Sequence, residues 1–565
     1  MIQLTNLPDG EANKVLRSLE NAREDEGSYP DCTRAMISQA LAAHYSANAE
    51  IKKARSLLTE AEALCSERPE PSLALIDFMI KTGQSNAAQS RIQKLSKVSK
   101  SPMITLLRAD LALLHGEPRA ALEILEQAPD ALPAKAMLQG DAALQMQDYT
   151  RAQKYYEAVA KEEDPRGVAE AHAMLTRVLA APAHINKIDK ELDKLIDKHP
   201  NSAGVLHAGA RVKALAAQQE ENNSKRKDLQ AQSDKRFSQA LAASEFDAPI
   251  FFDRCRVFAR RGALERAYGY CQDAHKLVED NVPGEVTRAD VMAQMGKTDE
   301  SIRALESLDN LTEHENITVR VALARTLLLS DRAEQAQKLV DALKSQAPDD
   351  PRVILLLGLH AFHSERYVQA YSQLKRAKEL APTNTEAAVF FAYAQVRVNK
   401  LEEATEPLKK HLSDPVWGGY AWLALGELRR RQERFEDAEE NLQKATTLLT
   451  ESNAPTWFIT EAYLQRALAW TNKKGWQDNN VAAYLSLAAS RGNENHAGLN
   501  YVRAIHTLYQ RKPDQERALA YFDLALEAQA DHCPTLEAMP ATLRAVSKDD
   551  RAKEIEELHK KQCKN

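Results

Sequence analysis

At 565 residues the chain is too long for one compact core, which stops growing at roughly 250–300 residues, so it holds several domains or one elongated array. Its 75 basic and 81 acidic residues are well mixed and leave a formal net charge of −6, without the basic excess that phosphate neutralisation demands of a nucleic-acid binder. No run of about 18 apolar residues is present, which excludes membrane insertion by a helix. Glycine and proline are sparse, at 19 and 22, and Ala-, Leu-, Glu-, Gln-, Lys- and Arg-rich stretches dominate. These residues lose least on entering a helix, so the composition reads as all-α.

In chain order, residues 1–30 carry a short polar helix over 10–24 and read as an N-terminal cap or extension. Helical hairpins fill 31–217. A polar segment, QQEENNSKRKDLQAQSDK over 218–235, interrupts them as a longer hairpin or a protruding loop. A central array follows over 236–450, with its best-defined repeats in 317–450. Residues 451–498 form a divergent repeat, and 499–565 complete the array with a charged capping helix.

The clearest unit is 351–384, PRVILLLGLHAFHSERYVQAYSQLKRAKELAPTN. Its first helix aligns Ile354, Leu357 and Gly358 on one face. Its second aligns Ala370, Leu374 and Ala377, and Pro382 closes the unit because proline cannot continue a helix. The next unit repeats the scheme with Ala388, Phe391 and Ala392, then Ala404 and Leu408. The one from 419 gives Trp422, Leu425 and Gly426, then Phe435, Ala438, Leu442 and Ala445. Small residues let two helices approach closely where they cross, and large ones fill the grooves on either side. The small slot early in each second helix recurs at Ala54, Ala88, Ala121, Ala152, Ala267, Ser301, Ala336, Ala370, Ala404, Ala438, Ala518 and Ala552, with Ile188, Ser233 and Val481 in less typical slots.

This large-large-small, small-large-small pattern at a period near 34 residues resembles the tetratricopeptide repeat (TPR) family, over nearly the whole chain. AAYLSLAASRGN over 482–493 bears a slight similarity to the related SEL1-like repeats. The resemblance implies an all-α, right-handed α-solenoid of about 14–15 helix-turn-helix repeats. It also implies a concave face, lined by the first helices, that holds a peptide or protein segment.

No catalytic signature is present: GxSxG, HExxH, a Walker A loop and GxGxxG are all missing, and no enzyme, metal or cofactor is expected. His360 and His363 lie one turn apart and read as helix-surface histidines of a regular repeat. None of the six cysteines forms a CxxC, and a fold of this size does not need disulfide staples. Cys255 and Cys271 occupy slots that face each other across one hairpin. They can form a disulfide or sit as two buried thiols, and a chain without a leader-like N-terminus is expected in the cytoplasm, where thiols stay reduced.

The candidate binding residues are those in inner slots of the first helices: Phe252, Arg256, Arg325, Arg352, Phe362, Tyr393, Tyr420, Glu427 and Arg430. Aromatics and arginine combine large burial with directed hydrogen bonds. The Lys, Asn, Asn, Lys, Arg set of the chaperone-binding clamp does not occur in the proper slots. The expected function is therefore a scaffold or adaptor for unidentified protein segments, with self-association through uncapped ends possible. The alternative is an assembly or regulatory subunit of a larger bacterial secretion, cell-envelope or signalling complex.

Overall fold

The computed structural model describes residues 9–563, apart from 48–49, 131, 163, 165, 221, 244–247, 279–280, 313 and 331. Among the described residues there are 31 α-helices, one 3-10 turn and no strand. α1 (Asp9–Glu24) stands at the N-terminus, and fifteen pairs follow. The first five are α2 (Asp31–Ala47) with α3 (Ile51–Leu64), α4 (Pro69–Lys81) with α5 (Ser85–Val98), α6 (Pro102–Leu114) with α7 (Pro118–Glu126), α8 (Pro133–Gln145) with α9 (Tyr149–Glu162), and α10 (Val168–Ala180) with α11 (Ile185–Lys198). The next five are α12 (Ala203–Gln219) with α13 (Asn223–Ala243), α14 (Ala248–Arg260) with α15 (Leu264–Leu277), α16 (Val282–Gln294) with α17 (Thr298–Leu311), α18 (Ile317–Leu328) with α19 (Ala333–Gln346), and α20 (Pro351–His363) with α21 (Tyr367–Leu380). The last five are α22 (Thr385–Arg397) with α23 (Leu401–Lys410), α24 (Gly418–Arg431) with α25 (Phe435–Glu451), α26 (Thr456–Lys474) with α27 (Asn479–Arg491), α28 (Ala497–Leu508) with α29 (Gln515–Ala528), and α30 (Cys533–Ala545) with α31 (Asp549–Gln562).

Each hairpin packs on the next, so the apolar face that one pair cannot bury alone is covered by its neighbour. The fold is the all-α solenoid expected from the sequence. Every slot named above, from Ala54 to Ala552, falls once in each second helix and is at most 1% exposed. The small residues of the first helices contact the large slot one turn further on. A Cβ on Gly358 would lie 2.7 Å from Leu374, and one on Gly426 would lie 2.5 Å from Leu442. Several first helices are started by a side-chain cap, as where Asp350, Asn384 and Asn316 accept from backbone N–H groups of their own first turns. Several hairpin turns take a left-handed residue, filled by glycine at Gly262 (φ 73°) and Gly296 (φ 79°) but by Glu365 (φ 55°) and Glu433 (φ 60°) further on.

The polar segment over 218–235 is a longer hairpin and not a loop: α13 runs for 21 residues from Asn223. The divergent region is a regular pair whose first helix, α26, extends to 19 residues.

Three disulfides are present, and they account for all six cysteines. Cys255–Cys271 ties α14 to α15 at mid-hairpin, so this pair is oxidised. Cys32–Cys65 and Cys533–Cys563 were not expected, and each joins the start of a first helix to the end of its second. They close the first and last hairpins, the two that have a neighbour of the repeat type on one side only.

The superhelix is tight enough for successive turns to touch. Thr318 donates to the Gly116 carbonyl at 2.9 Å across 202 residues of sequence, and Asn316 donates to the His115 carbonyl beside it. Gln218 donates to the Thr385 hydroxyl at 2.7 Å across 167 residues. At about 34 residues per repeat these contacts set a turn of five to six hairpins.

Candidate functional site

This curvature places the first helices around the superhelix axis and gives the two halves of the array different interiors. From α2 to α18 the axis is an open lumen. Its cavity of about 1570 Å³ is lined by first-helix side chains from Gln39 to Arg325 and closed further along by α20, α22 and the residues before α24. That volume exceeds the roughly 300–1,000 Å³ of small-molecule pockets. Among the described residues no helix is long and apolar enough to cross a membrane.

From α20 to α26 the axis is filled. His363 on α20 and Phe390 on α22 reach Phe458 on α26, with ring centres 5.2 and 5.7 Å apart. Tyr420 on α24 meets the same ring at 4.7 Å, and Phe362 stands 6.3 Å from Trp457. Beside these rings Arg397 pairs with Glu427 (2.9 Å) and Glu461, and donates to Tyr393 (3.0 Å) and Tyr367 (3.1 Å).

The nine candidates divide along this boundary. Phe362, Tyr393 and Glu427 are 0% exposed and Tyr420 is 7% exposed, so they present no surface to a ligand. They correct the expected concave stripe: side chains on opposite sides of a narrow axis meet one another instead of solvent. Arg430 is half-buried at the same level and donates to Gln465 at 2.9 Å. The other four line the lumen. Phe252 is buried there, its ring lying over Gly284, where a Cβ would collide with it. Arg325 bridges Asp290 (2.7 Å) and Glu386 (3.0 Å), and Arg352 is folded onto its own cap Asp350 and Thr318. Arg256, about two-fifths exposed, is the freest of the four.

The lumen also carries charges in two groups that were not singled out in the sequence. On α4, α6 and α8 the same slot holds Asp77, Asp110 and Asp141, followed by His172 on α10 and His207 on α12. Burial, aided by Asp77, pushes Asp110 up to about 6. Burial also raises Asp141 to about 6, against the hydrogen bond that Tyr156 donates to it at 2.6 Å. Burial lowers His172 to about 3, with His207 and Arg211 adding to the effect.

Continuous with the row through His207, a cationic group stands around Asp253. Its carboxylate contacts His207 Nε2 (2.9 Å), Arg211 (3.2 Å) and Arg256 (2.7 Å). Burial alone would raise Asp253, but Arg211, His207 and Arg256 outweigh it and hold it well below the carboxylate range. Arg260 lines the cavity nearby, lowered by the enclosing protein and by Arg256. Reading one slot across consecutive repeats, at spacings near 33 residues, would have brought the acidic row to light.

No metal site is built from these groups. Among the described residues the one set of potential ligands close enough together is Cys32, Cys65 and Glu67, and its two sulfurs are bonded to each other.

Comparison with known proteins fits this architecture. A tetratricopeptide-repeat family model matches residues 137–191, and a model of the anaphase-promoting complex, cyclosome, subunit 3 matches residues 320–411. No curated protein matches the chain. Among solved structures, a chain in the crystal structure of the APC/C hetero-tetramer Cut9–Hcn1 is similar at 13% identity, covering 90% of this chain and 96% of that one, with a TM-score of 0.48. Small residues at the crossings and one buried slot per second helix accompany the two matched stretches, and the chain carries tetratricopeptide-type repeats.

Proposed function

We propose that the chain is a non-catalytic scaffold that holds a segment of a partner protein inside the lumen of α2–α18. The observation that carries this reading is the division of the axis: one half is filled with aromatic rings, while the other keeps a cavity of about 1570 Å³ with exposed charges. A cavity of that size takes an extended segment more naturally than a small molecule. The binding residues are then Arg256 and Arg325, with Arg352 and Phe252 shaping the wall.

A photo-crosslinking amino acid at Val321, which lines the lumen, tests this. It should trap a discrete partner segment, whereas the same probe at Val368, on the outer surface at 78% exposure, should not. Crosslinks from Val368 alone would refute the lumen as the binding site.

The three disulfides favour an oxidising compartment over the cytoplasmic placement expected from the sequence, because cytosolic thiols stay reduced. Alkylation and mass spectrometry of protein taken from its native cells should find no free thiol. Six alkylated cysteines would return the chain to a reducing compartment.

A further inference from the structure

We propose that Arg211, Arg256 and Arg260 form a carboxylate-binding cradle in the lumen, and that the segment the scaffold holds carries a short acidic stretch. This inference rests on the lumen being the binding site and specifies what is recognised there.

The first ground is unspent donors. A guanidinium offers five N–H donors. Arg211 places one nitrogen on Asp253, and Arg256 divides its two terminal nitrogens between Asp253 and Thr287 (2.9 Å). Among the described residues Arg260 makes no hydrogen bond and has no carboxylate within salt-bridge distance, Asp253 and Asp414 acting on it from further away, and it is exposed to the cavity. Asp253 is already in contact with three basic groups and offsets one charge of the three arginines. Lys227 lines the same cavity and adds to the excess. Arginines gathered this way inside an enclosed space repel one another unless an anion joins them, and their planar fork matches a carboxylate.

The second ground is the acidic row. Asp77, Asp110 and Asp141 line the same cavity on α4, α6 and α8. A long polyanion following the lumen would run into that row, so a nucleic-acid strand fits poorly while a segment with two or three adjacent Glu or Asp residues fits.

The test is fluorescence anisotropy on the full chain with labelled Gly/Ser octapeptides carrying three adjacent residues of glutamate, glutamine or lysine, and with an eight-nucleotide thymidine strand. The triglutamate peptide should bind at least tenfold more tightly than the triglutamine peptide at low salt, weaken as salt rises, and outcompete the oligonucleotide. Arg260→Gln, which removes a side chain without a hydrogen-bonded or ion-paired partner among the described residues, should lose severalfold in affinity. Arg211→Gln/Arg256→Gln/Arg260→Gln should lose at least tenfold, with an unchanged far-UV spectrum. Equal binding of glutamate and glutamine peptides, or full retention by both variants, overturns the cradle. Oligonucleotide binding as tight as that of the triglutamate peptide, lost in the same variants, overturns the assignment to a protein segment. If the Val321 crosslink persists while the triglutamate peptide fails to bind, the lumen reading stands and the cradle alone falls.

Discussion

Replacing Arg397 by methionine separates a core residue from a groove residue in the filled half of the array. Arg397 holds Glu427 at 2.9 Å and also Glu461, whose side chains are 0% and 4% exposed, and it donates to the hydroxyls of Tyr393 and Tyr367. Methionine keeps much of the volume and removes the charge, leaving Glu461 inside without an arginine while Glu427 keeps Arg431 at 2.8 Å. Breaking a buried pair in this way is worth about 3–5 kcal/mol of stability.

The pH dependence gives a second signature. In the native chain burial raises Glu461, but Arg397 and then His496 outweigh it and lower its pKa. Glu461 therefore contributes stability above its unfolded pKa, and that contribution is lost as pH falls. Without Arg397, burial outweighs what His496 and the Gln465 hydrogen bond still supply and raises the folded pKa of Glu461. The sign then inverts: stability is fullest below the unfolded pKa and declines as pH rises. Urea denaturation of both proteins at several pH values, followed by circular dichroism, reads both effects. A variant within 1 kcal/mol of the parent, with a parallel pH profile, would show that this network is open to water and that Tyr393 and Glu427 belong to a surface after all.

Three further outcomes are expected. Glu433→Gly should raise stability by about 1 kcal/mol in thermal or urea unfolding, because Glu433 is exposed and its φ of 60° is strained for any residue with a side chain. Cys32→Ala/Cys65→Ala and Cys533→Ala/Cys563→Ala open loops of 33 and 30 residues, so each should destabilise its terminal hairpin by ~3–4 kcal/mol on chain-entropy grounds. Hydrogen exchange should then accelerate in α2–α3 or α30–α31 and stay unchanged in α18–α25. Glu365 is held up to about 7, chiefly by burial, so its neutral form stabilises the fold below its unfolded pKa and that contribution is lost as pH rises through 7. Glu365→Gln should flatten the stability profile between about pH 5 and 7, the span from the unfolded to the folded pKa, and an unaltered slope there would contradict the burial of Glu365.

The repeat was legible because it is written locally. Gly358 and Gly426 must be small where two helices cross, and Leu374 and Leu442 must fill the space beside them, whatever the rest of the chain does. One such slot per second helix gave the hairpin count and the architecture. The interior was not legible, because it depends on curvature, the sum of small rotations over several repeats. Phe362 and Trp457 are three hairpins apart, and nothing in either repeat announces that their rings meet across the axis. The same inner slots that carry Arg256 and Arg325 into the lumen carry Tyr393 and Glu427 into a core. The terminal disulfides were hidden for a related reason: Cys32 and Cys65 lie at opposite extremes of one hairpin and adjoin only once its two helices run antiparallel.

The claim at the centre of this account is an array with one half of its axis open and the other closed. Hydroxyl-radical footprinting read by mass spectrometry measures it directly. Tyr149 and Trp417, which line the lumen, should be oxidised in the free chain and protected by the segment trapped at Val321. Phe362, Tyr393 and Phe458, each 0% exposed, should stay unmodified in both states. Oxidation of those three at the rate of the exposed Tyr29 and Tyr509, or a lumen pair indifferent to the bound segment, would contradict it.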